Sequence, residues 1–241
     1  MPAGRAAIRG ILFDKDGTLV DYEATWGPIN RRVADLAARG DPVLTRQLLE
    51  IGGHDAETGR TRGGSLLAAA HTREIAQAWI DAGAPFDLDA LTERMDAAFA
   101  EGAREAVPVT DVASLFDRLR ARGLALGVAT SDGARAARAT LARLGVSTDD
   151  LFVAGYDSGY GGKPAAGMVW GFCAATGLKP ADVLVVGDNT HDLDMAQAAG
   201  CAAALGVLTG TGREPELAAR ANAVLTGIDA LEAWLDANTP S

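Results

Sequence analysis

The sequence is poor in cysteine, in positive charge and in long hydrophobic runs, and each shortage excludes a class of protein. Its two cysteines, Cys173 and Cys201, stand in apolar surroundings, which favours reduced core thiols over a disulfide framework. Its 22 basic against 32 acidic residues leave a net charge of −10, which disfavours nucleic acid because phosphate backbones are bound by an excess of lysine and arginine. No apolar run approaches the roughly 20 residues of a membrane helix, and residues 1–9 lack the apolar segment of a secretion signal. We therefore expect a cytoplasmic protein that binds neither nucleic acid nor membranes.

The 241 residues are 48% hydrophobic and 22% charged, which is typical of a folded chain of one or two domains. Apolar residues at 21–106 recur at helical spacing, one of the predicted helices covers 65–82, and no strand pattern interrupts them. A glycine-rich polar loop at 52–64 lies within this block and is of the kind that is functional or mobile. From residue 108 onward, helical segments alternate with apolar runs. These runs cover 124–130, 151–154, 183–188, 202–207 and 223–225.

Near-continuous apolar strands that alternate with helices predict a doubly wound parallel α/β sheet covered on both faces. The apolar run at 8–13 supplies the first strand of this sheet, so the helical block is an insertion after strand one. We expect a core domain of residues 1–20 and 107–241 and a small helical domain of residues 21–106.

Three of the predicted strands end in polar residues, namely Asp14, Thr130 and Asp188. The carboxyl ends of parallel strands share one edge of a sheet, which is where such folds bind ligands. If Asp14 and Asp188 held one magnesium ion, their strands would have to be neighbours, because adjacent strands lie only about 4.8 Å apart. The strand that ends at Thr130 would then flank the first strand on its other side.

Each polar signal has an ordinary structural explanation when it is taken alone. Asp14 and Asp16 suit a turn, Thr130 with Ser131 suits a helix N-cap, and the acidic pair Asp188 and Asp192 suits a helix start. Lys163 before Pro164 is ordinarily a solvated lysine before a turn. None of these explanations accounts for the order of these residues along the chain, or for the fact that all of them follow predicted strands, each at the end of a strand or just beyond it.

In that order the set resembles the haloacid dehalogenase superfamily of phosphohydrolases. Asp14-Lys15-Asp16-Gly17-Thr18 is similar to its first motif, Thr130 to the second, Lys163 to the third, and Asp188 with Asp192 to the fourth. The helical insertion resembles the small helical cap of this superfamily. The segments at 19–21, 163–164 and 207–210 are most similar to its phosphoglycolate phosphatase branch, although Ala166 stands where that branch often has a proline.

The resemblance implies a magnesium-dependent phosphatase that acts on a small phosphorylated metabolite, a phosphomonoester such as phosphoglycolate, through an aspartyl-phosphate intermediate. Asp14 would be the nucleophile, and Asp16 would act as general acid and then as general base. Magnesium would be held by Asp14, the backbone carbonyl of Asp16 and Asp188, with Asp192 orienting its waters. The phosphoryl group would be bound by Thr130, Ser131, Lys163, Gly17 and Thr18, the last two through the amides of their turn.

The substrate is expected to be chosen by the cap, where Arg60 and Arg62 are the candidates for binding the leaving group. The segment from Arg62 to Leu66 resembles the cap of beta-phosphoglucomutase, so a phosphoryl transferase of that type is a second possible function. Trp26 stands where that mutase has its cap histidine, which favours hydrolysis. The same polar residues would also suit a receiver-like phospho-acceptor domain, or a phosphate binder without activity. The sequence leaves open whether the protein is a monomer or a homodimer.

Overall fold

The computed structural model describes residues 8–70 and 72–238, without the side chain of Ala103. Residues 1–7 and 239–241 of the predicted core domain, and His71 of a helix predicted over 65–82, lie outside the described residues. The chain divides into two compact units. The sheet unit comprises the residues up to Asp21 and those from Pro108 onward, and the helical unit is Tyr22–Val107. That these units are independent domains stays a prediction.

The sheet unit contains one six-stranded sheet in which every pair of neighbouring strands is parallel. The order of the strands is β3-β2-β1-β4-β5-β6, which confirms the predicted doubly wound class. The strands are β1 (Gly10–Phe13), β2 (Ala125–Ala129), β3 (Phe152–Ala154), β4 (Val183–Gly187), β5 (Ala203–Val207) and β6 (Ala223–Leu225).

The register of the central strands confirms the predicted neighbours. Phe13 at the end of β1 lies opposite Val128 of β2 on one side and Val186 of β4 on the other. Chain connections therefore lead away from β1 in both directions, which makes the edge above β1 and β4 the topological switch point of the sheet.

Helices account for most of the remaining described residues. They are α1 (Tyr22–Ala37), α2 (Pro42–Gly52), α3 (Leu66–Ala69), α4 (Thr72–Asp81), α5 (Leu88–Gly102), α6 (Val112–Ala121), α7 (Ala134–Arg143), α8 (Gly167–Thr176), α9 (Thr190–Ala199), α10 (Glu214–Ala218) and α11 (Leu231–Asn238). Short 3₁₀ helices cover Ala103–Glu105, Pro180–Asp182 and Ile228–Ala230. Among the residues that the structure describes, no helix is both long enough and apolar enough to cross a membrane.

Both faces of the sheet are buried, because side chains of a strand alternate between them. Ile11 and Phe13 of β1 join the apolar layer that contains residues of α6, α7 and α11, whereas Leu12 joins the layer built with α8 and α9. The ring of Phe13 stacks on Phe116 of α6 at a centroid distance of 5.2 Å. A buried strand with helices on either side thus carries the loop that begins at Asp14.

The helical unit has its own apolar core around the fully buried Trp79 of α4. The single helix predicted over 65–82 is wrong in one respect: it is divided into α3 and α4, because the backbone of Ala70 is extended (φ −88°, ψ 160°). The loop at 52–64 is held by several backbone contacts. His54 and Thr61 form an antiparallel bridge, and the amide of Thr61 donates to the carboxylate of Glu23.

Truncation of Phe116 to alanine tests whether the α6 layer stabilises the sheet. Phe116 is fully buried, so Phe116→Ala should lower the free energy of unfolding by about 3–5 kcal/mol, measured by urea denaturation. Trp170→Ala is the matched aromatic control, because Trp170 is 58% exposed and its loss should cost less than about 1 kcal/mol. Equal effects of the two substitutions would contradict this account of the core.

Candidate active site

The loop after β1 begins as a continuation of the strand and then turns sharply. The amide of Asp14 donates to the carbonyl oxygen of Val186 at 2.8 Å, so Asp14 keeps the spacing of the sheet. The carbonyl oxygen of Lys15 then accepts from the amides of Leu19 (2.8 Å) and Val20 (3.0 Å). Gly17 has a φ of 85°, a left-handed conformation that favours glycine. This turn fixes the Asp14 side chain at the carboxyl edge of the sheet.

Three buried carboxylates meet at this edge, those of Asp14, Asp188 and Asp192. One oxygen of each lies within 4.8 Å of one oxygen of each of the others. Asp188 follows β4, the neighbour of β1, and Asp192 lies in the first turn of α9. The adjacency of two strands and the helix that follows one of them is therefore what assembles the cluster.

Lys163 supplies positive charge to the cluster from the loop before α8. Its ammonium nitrogen lies 2.5 Å from Oδ1 of Asp14 and 2.6 Å from Oδ1 of Asp192, and its side chain is 4% exposed. The peptide bond between Lys163 and Pro164 is cis. Burial by itself would lower the pKa of Lys163, but the charges of Asp14 and Asp192 raise it above its ordinary value, so the group stays a cation.

The pKa values of Asp14 and Asp188 are both raised above their usual range. Burial is the main cause that raises the pKa of Asp14 to about 7; the charges of Asp192 and Asp16 add to this, and Lys163 opposes it. Burial, followed by the charges of Asp14 and Asp192, raises the pKa of Asp188 well above its usual range. One lysine does not balance three ionised carboxylates, so ionisation of all three would leave an excess of buried negative charge.

The cluster fits a divalent cation that prefers oxygen ligands. Oδ2 of Asp14 is buried and has no hydrogen-bond partner among the described residues, a costly state that a cation would relieve. Both oxygens of Asp192 are engaged, because Oδ1 pairs with Lys163 and Oδ2 accepts from the amide of Asn189 at 3.1 Å. Asp192 therefore combines the helix-cap role that its position suggested with a contact to Lys163. Asp192 belongs to the three carboxylates that could hold a metal ion, and its place outside the direct ligands stays a prediction.

Thr130, after β2, is oriented as a hydroxyl donor. Its side-chain oxygen accepts from the amide of Asp132 at 3.1 Å, and its own amide donates to Ala154 at 2.9 Å. With a lone pair of the hydroxyl occupied, its hydrogen is directed elsewhere, as binding of a phosphoryl oxygen requires. Thr130 is buried, whereas Ser131 is exposed.

The amides of Gly17 and Thr18 form hydrogen bonds within the turn, and their binding of a phosphoryl group stays a prediction. The amide of Gly17 donates to Val20 at 2.6 Å, and that of Thr18 donates to Lys15 at 3.4 Å, so both are used within the turn. The hydroxyl of Thr18 is fully buried and has no hydrogen-bond partner among the described residues. A phosphoryl oxygen would have to displace the internal bonds to reach these amides.

The carboxylate of Asp16 is not one of the three that form the cluster of Asp14, Asp188 and Asp192. Its side chain is 21% exposed, and its Oδ2 lies 2.5 Å from the ammonium nitrogen of Lys15. Asp14 and Asp16 thus have different surroundings, and the different tasks predicted for them stay a prediction.

The loop after β5 contacts Asp188 and the turn after β1, a role that the sequence analysis did not assign to the segment 207–210. Oδ2 of Asp188 accepts from the amide of Thr211 at 2.7 Å, with the Thr211 hydroxyl at 3.3 Å, and Thr209 donates its hydroxyl to the carbonyl of Gly17 at 2.6 Å. A Cβ on Gly210 would lie 1.9 Å from the same Asp188 oxygen. The alternation of threonine and glycine at 209–212, directly after a strand, was the available signal.

Arg60 and Arg62 lie in the loop of the helical unit. Nη2 of Arg62 donates to the carbonyl of Glu50 at 3.4 Å, and the carbonyl of Arg60 accepts from the amide of Asp55 at 2.8 Å. Their contact with a substrate stays a prediction. Ala166, the departure from the phosphoglycolate phosphatase pattern, is buried at the start of α8, where its carbonyl accepts from the amide of Trp170 at 3.1 Å.

Comparisons with known proteins agree with this site. A family model for haloacid dehalogenase-like hydrolases matches residues 8–200. The phosphoglycolate phosphatase of Yersinia pestis is 30% identical over 198 residues, which cover 81% of this chain and 79% of the relative. That of Rhodospirillum rubrum is 28% identical over 234 residues, which cover 94% of this chain and 90% of the relative.

Solved structures share the fold at lower sequence identity. A hydrolase from Pseudomonas syringae has a TM-score of 0.67 at 20% identity and covers 96% of this chain and 100% of its own. A Thermotoga maritima protein assigned as a beta-phosphoglucomutase has a TM-score of 0.70 at 21% identity and covers 95% of this chain and 99% of its own. The family model and the Yersinia relative together show that this chain belongs to the haloacid dehalogenase-like hydrolase family.

Proposed function

We propose that the protein is a magnesium-dependent phosphatase of a small organic phosphomonoester, with an aspartyl phosphate as intermediate. The observation that carries this proposal is the buried cluster of Asp14, Asp188 and Asp192 with Lys163 at the ends of β1 and β4. Family membership supports hydrolysis, and the relatives named phosphoglycolate phosphatase favour a phosphoglycolate-like substrate.

The cation would be held by carboxylate oxygens of Asp14 and Asp188 and by the backbone carbonyl of Asp16. When bound, it would supply Lewis acidity and would offset the charges of the carboxylates and of the phosphoryl group. Magnesium suits this site because it accepts few carboxylates and keeps several of its waters. Asp192 would orient those waters while it holds Lys163 in place.

The residues of the chain divide the remaining work. Asp14 attacks phosphorus, and Lys163 beside it lowers the repulsion between the attacking carboxylate and the phosphoryl oxygens. Thr130 donates its hydroxyl hydrogen to one of these oxygens. Asp16 protonates the leaving alkoxide and then removes a proton from the water that hydrolyses the aspartyl phosphate. Ser131, Gly17 and Thr18 are secondary donors in this scheme.

Phosphoryl transfer and signalling have less support than hydrolysis. A phosphoglucomutase-like transferase shares the fold, but similarity at 21% identity supports the fold alone. A receiver-like domain would leave Asp16 without a task. The helical unit, with Arg60 and Arg62 in its loop, is the proposed source of substrate specificity.

Substitution of the two aspartates of the first motif tests their roles. Asp14→Asn should lower kcat toward p-nitrophenyl phosphate by roughly a thousandfold or more, because the nucleophile is removed. Asp16→Asn should lower kcat toward an alkyl phosphate by about a hundredfold or more, because proton transfer is lost. Asp150→Asn is the matched control, since Asp150 is exposed and should leave activity unchanged. Substantial activity of freshly purified Asp14→Asn would exclude this residue as nucleophile, and wild-type activity that survives chelation of divalent cations would exclude the metal.

The affinity for magnesium should depend on pH through the buried carboxylates. Because the pKa of Asp14 is raised to about 7 and that of Asp188 is raised as well, protons compete with the cation at lower pH. The dissociation constant should therefore increase as the pH falls, by up to about tenfold per pH unit for each carboxylate that must lose a proton to bind the cation. Isothermal titration calorimetry on metal-free protein measures this. An affinity that is constant between about pH 6 and pH 7 would contradict the proposed ligands.

The loop after β5 should matter for the metal because it holds Asp188. In Gly210→Ala, the new methyl group would lie 1.9 Å from Oδ2 of Asp188 and would displace it, so the magnesium affinity should fall about tenfold or more. Gly27→Ala in α1 is the matched control, because the nearest atom to its new Cβ lies 3.4 Å away. Calorimetry on the two folded variants provides the comparison. An unchanged affinity in Gly210→Ala would show that Asp188 does not need this support.

A further inference from the structure

Lys15 is a buried charge that the proposed chemistry leaves without a task. Its side chain is 1% exposed, and its ammonium nitrogen lies 2.5 Å from Oδ2 of Asp16 and 2.9 Å from Oδ2 of Asp132. Burial alone would lower the pKa of Lys15, but Asp132 and Asp16 raise it above its ordinary value, so the group is a cation. This cation joins the loop after β1 to the loop after β2.

Asp132 is held firmly at its end of this connection. Its amide donates to the hydroxyl of Thr130 at 3.1 Å, and its carbonyl oxygen accepts from the amide of Tyr156 at 3.1 Å. The backbones pack closely here, since a Cβ on Gly155 would lie 2.3 Å from the Asp132 carbonyl oxygen. The loop after β3 thus fixes the backbone of Asp132, and Asp132 gives the ammonium group of Lys15 a fixed partner.

We propose that Lys15, supported by Asp132, is a positioning residue that orients the carboxyl group of Asp16 for proton transfer. The inference rests on the proposed function, in which Asp16 is the general acid and base. The contact at 2.5 Å engages Oδ2 of Asp16 and so restricts the rotation of its carboxyl group. Such restriction matters because an acid must come within about 2.6–3.2 Å of the oxygen that it protonates, and a misplacement of about 1 Å can cost a hundredfold in rate.

The second carboxylate has a clear purpose in this arrangement. When Asp16 carries a proton, it no longer balances the charge of Lys15, and a buried ammonium without a carboxylate is costly. Asp132 keeps Lys15 paired through that part of the cycle. A salt bridge between Lys15 and Asp132 would be enough to join the two loops. The additional contact of Lys15 with Asp16, the proposed acid, is therefore the one that positioning explains.

A purely structural salt bridge and a positioning residue differ in their dependence on the leaving group. Loss of a structural bridge should slow all substrates alike. Loss of acid positioning should slow esters whose alkoxide leaving group needs a proton, and should have much less effect on 2,4-dinitrophenyl phosphate, whose phenolate leaves as a stable anion. The value of kcat/KM isolates this difference, because it covers the steps up to transfer of the phosphoryl group to Asp14.

The experiment compares kcat/KM of Lys15→Met, Asp132→Asn and Asp16→Asn on an alkyl phosphate and on 2,4-dinitrophenyl phosphate, with saturating magnesium. Lys15→Met should lower the value for the alkyl ester by about tenfold or more, and Asp132→Asn by about threefold, while the dinitrophenyl ester loses less than about twofold. Asp150→Asn, the same chemical change at an exposed site, should alter neither value. The double variant Lys15→Met with Asp132→Asn should lower kcat/KM for the alkyl ester no more than Lys15→Met alone, because both residues act through one ammonium group.

Asp132→Asn keeps the inference testable if Lys15→Met does not fold, because the side chain of Asp132 is 35% exposed and its replacement keeps the shape. Equal losses on the two esters, or no loss on either, would overturn the positioning role. A wild-type protein without activity on either ester would overturn the proposed function itself, and equal losses in Asp16→Asn would remove Asp16 as the acid. If Asp16→Asn slowed the alkyl ester more than the dinitrophenyl ester, while Asp132→Asn slowed both alike, the positioning role would be overturned and the proposed function would stand.

Discussion

The main constraint on the site is the repulsion among the buried carboxylates at one edge of the sheet, which the rest of the fold has to overcome. Two like charges about 4 Å apart repel by about 4 kcal/mol at the effective dielectric of a protein surface, and burial increases this cost. Asp14, Asp188 and Asp192 are held together in spite of it, with Lys163 as their cation. Folding therefore brings together more carboxylates than Lys163 can balance when all are ionised, and a divalent cation would offset the charge of their ionised forms.

Backbone contacts supply the rigidity that this charge arrangement needs. The amide of Asp14 belongs to the sheet through Val186, and the amide of Thr211 holds one oxygen of Asp188. Asp192 is kept in place by the start of α9, where one of its oxygens caps the helix and the other pairs with Lys163. The end of β1, the loop after β5 and the start of α9 thus hold the carboxylates in place against their mutual repulsion.

Lysine residues on two different loops divide the first motif into two environments. Lys163 faces Asp14, and Lys15 faces Asp16, so that neighbouring aspartates are influenced by different cations. The separation follows from the turn after β1, in which the carbonyl oxygen of Lys15 accepts from the amides of Leu19 and Val20, so that Asp16 no longer follows the alternation of the strand.

The sequence by itself determined the alternation of apolar runs and helices, and from it the parallel sheet, the order of β2, β1 and β4, and the edge that carries Asp14, Thr130 and Asp188. These follow from periodicity and from the rule that parallel strand ends share an edge, which are local or topological properties. Only the tertiary structure decided that Thr211 holds Asp188, that the turn consumes the amides of Gly17 and Thr18, and that Lys15 reaches Asp132. These contacts join residues of different loops, or depend on the path of a tight turn, and loop geometry has no period from which it could be predicted.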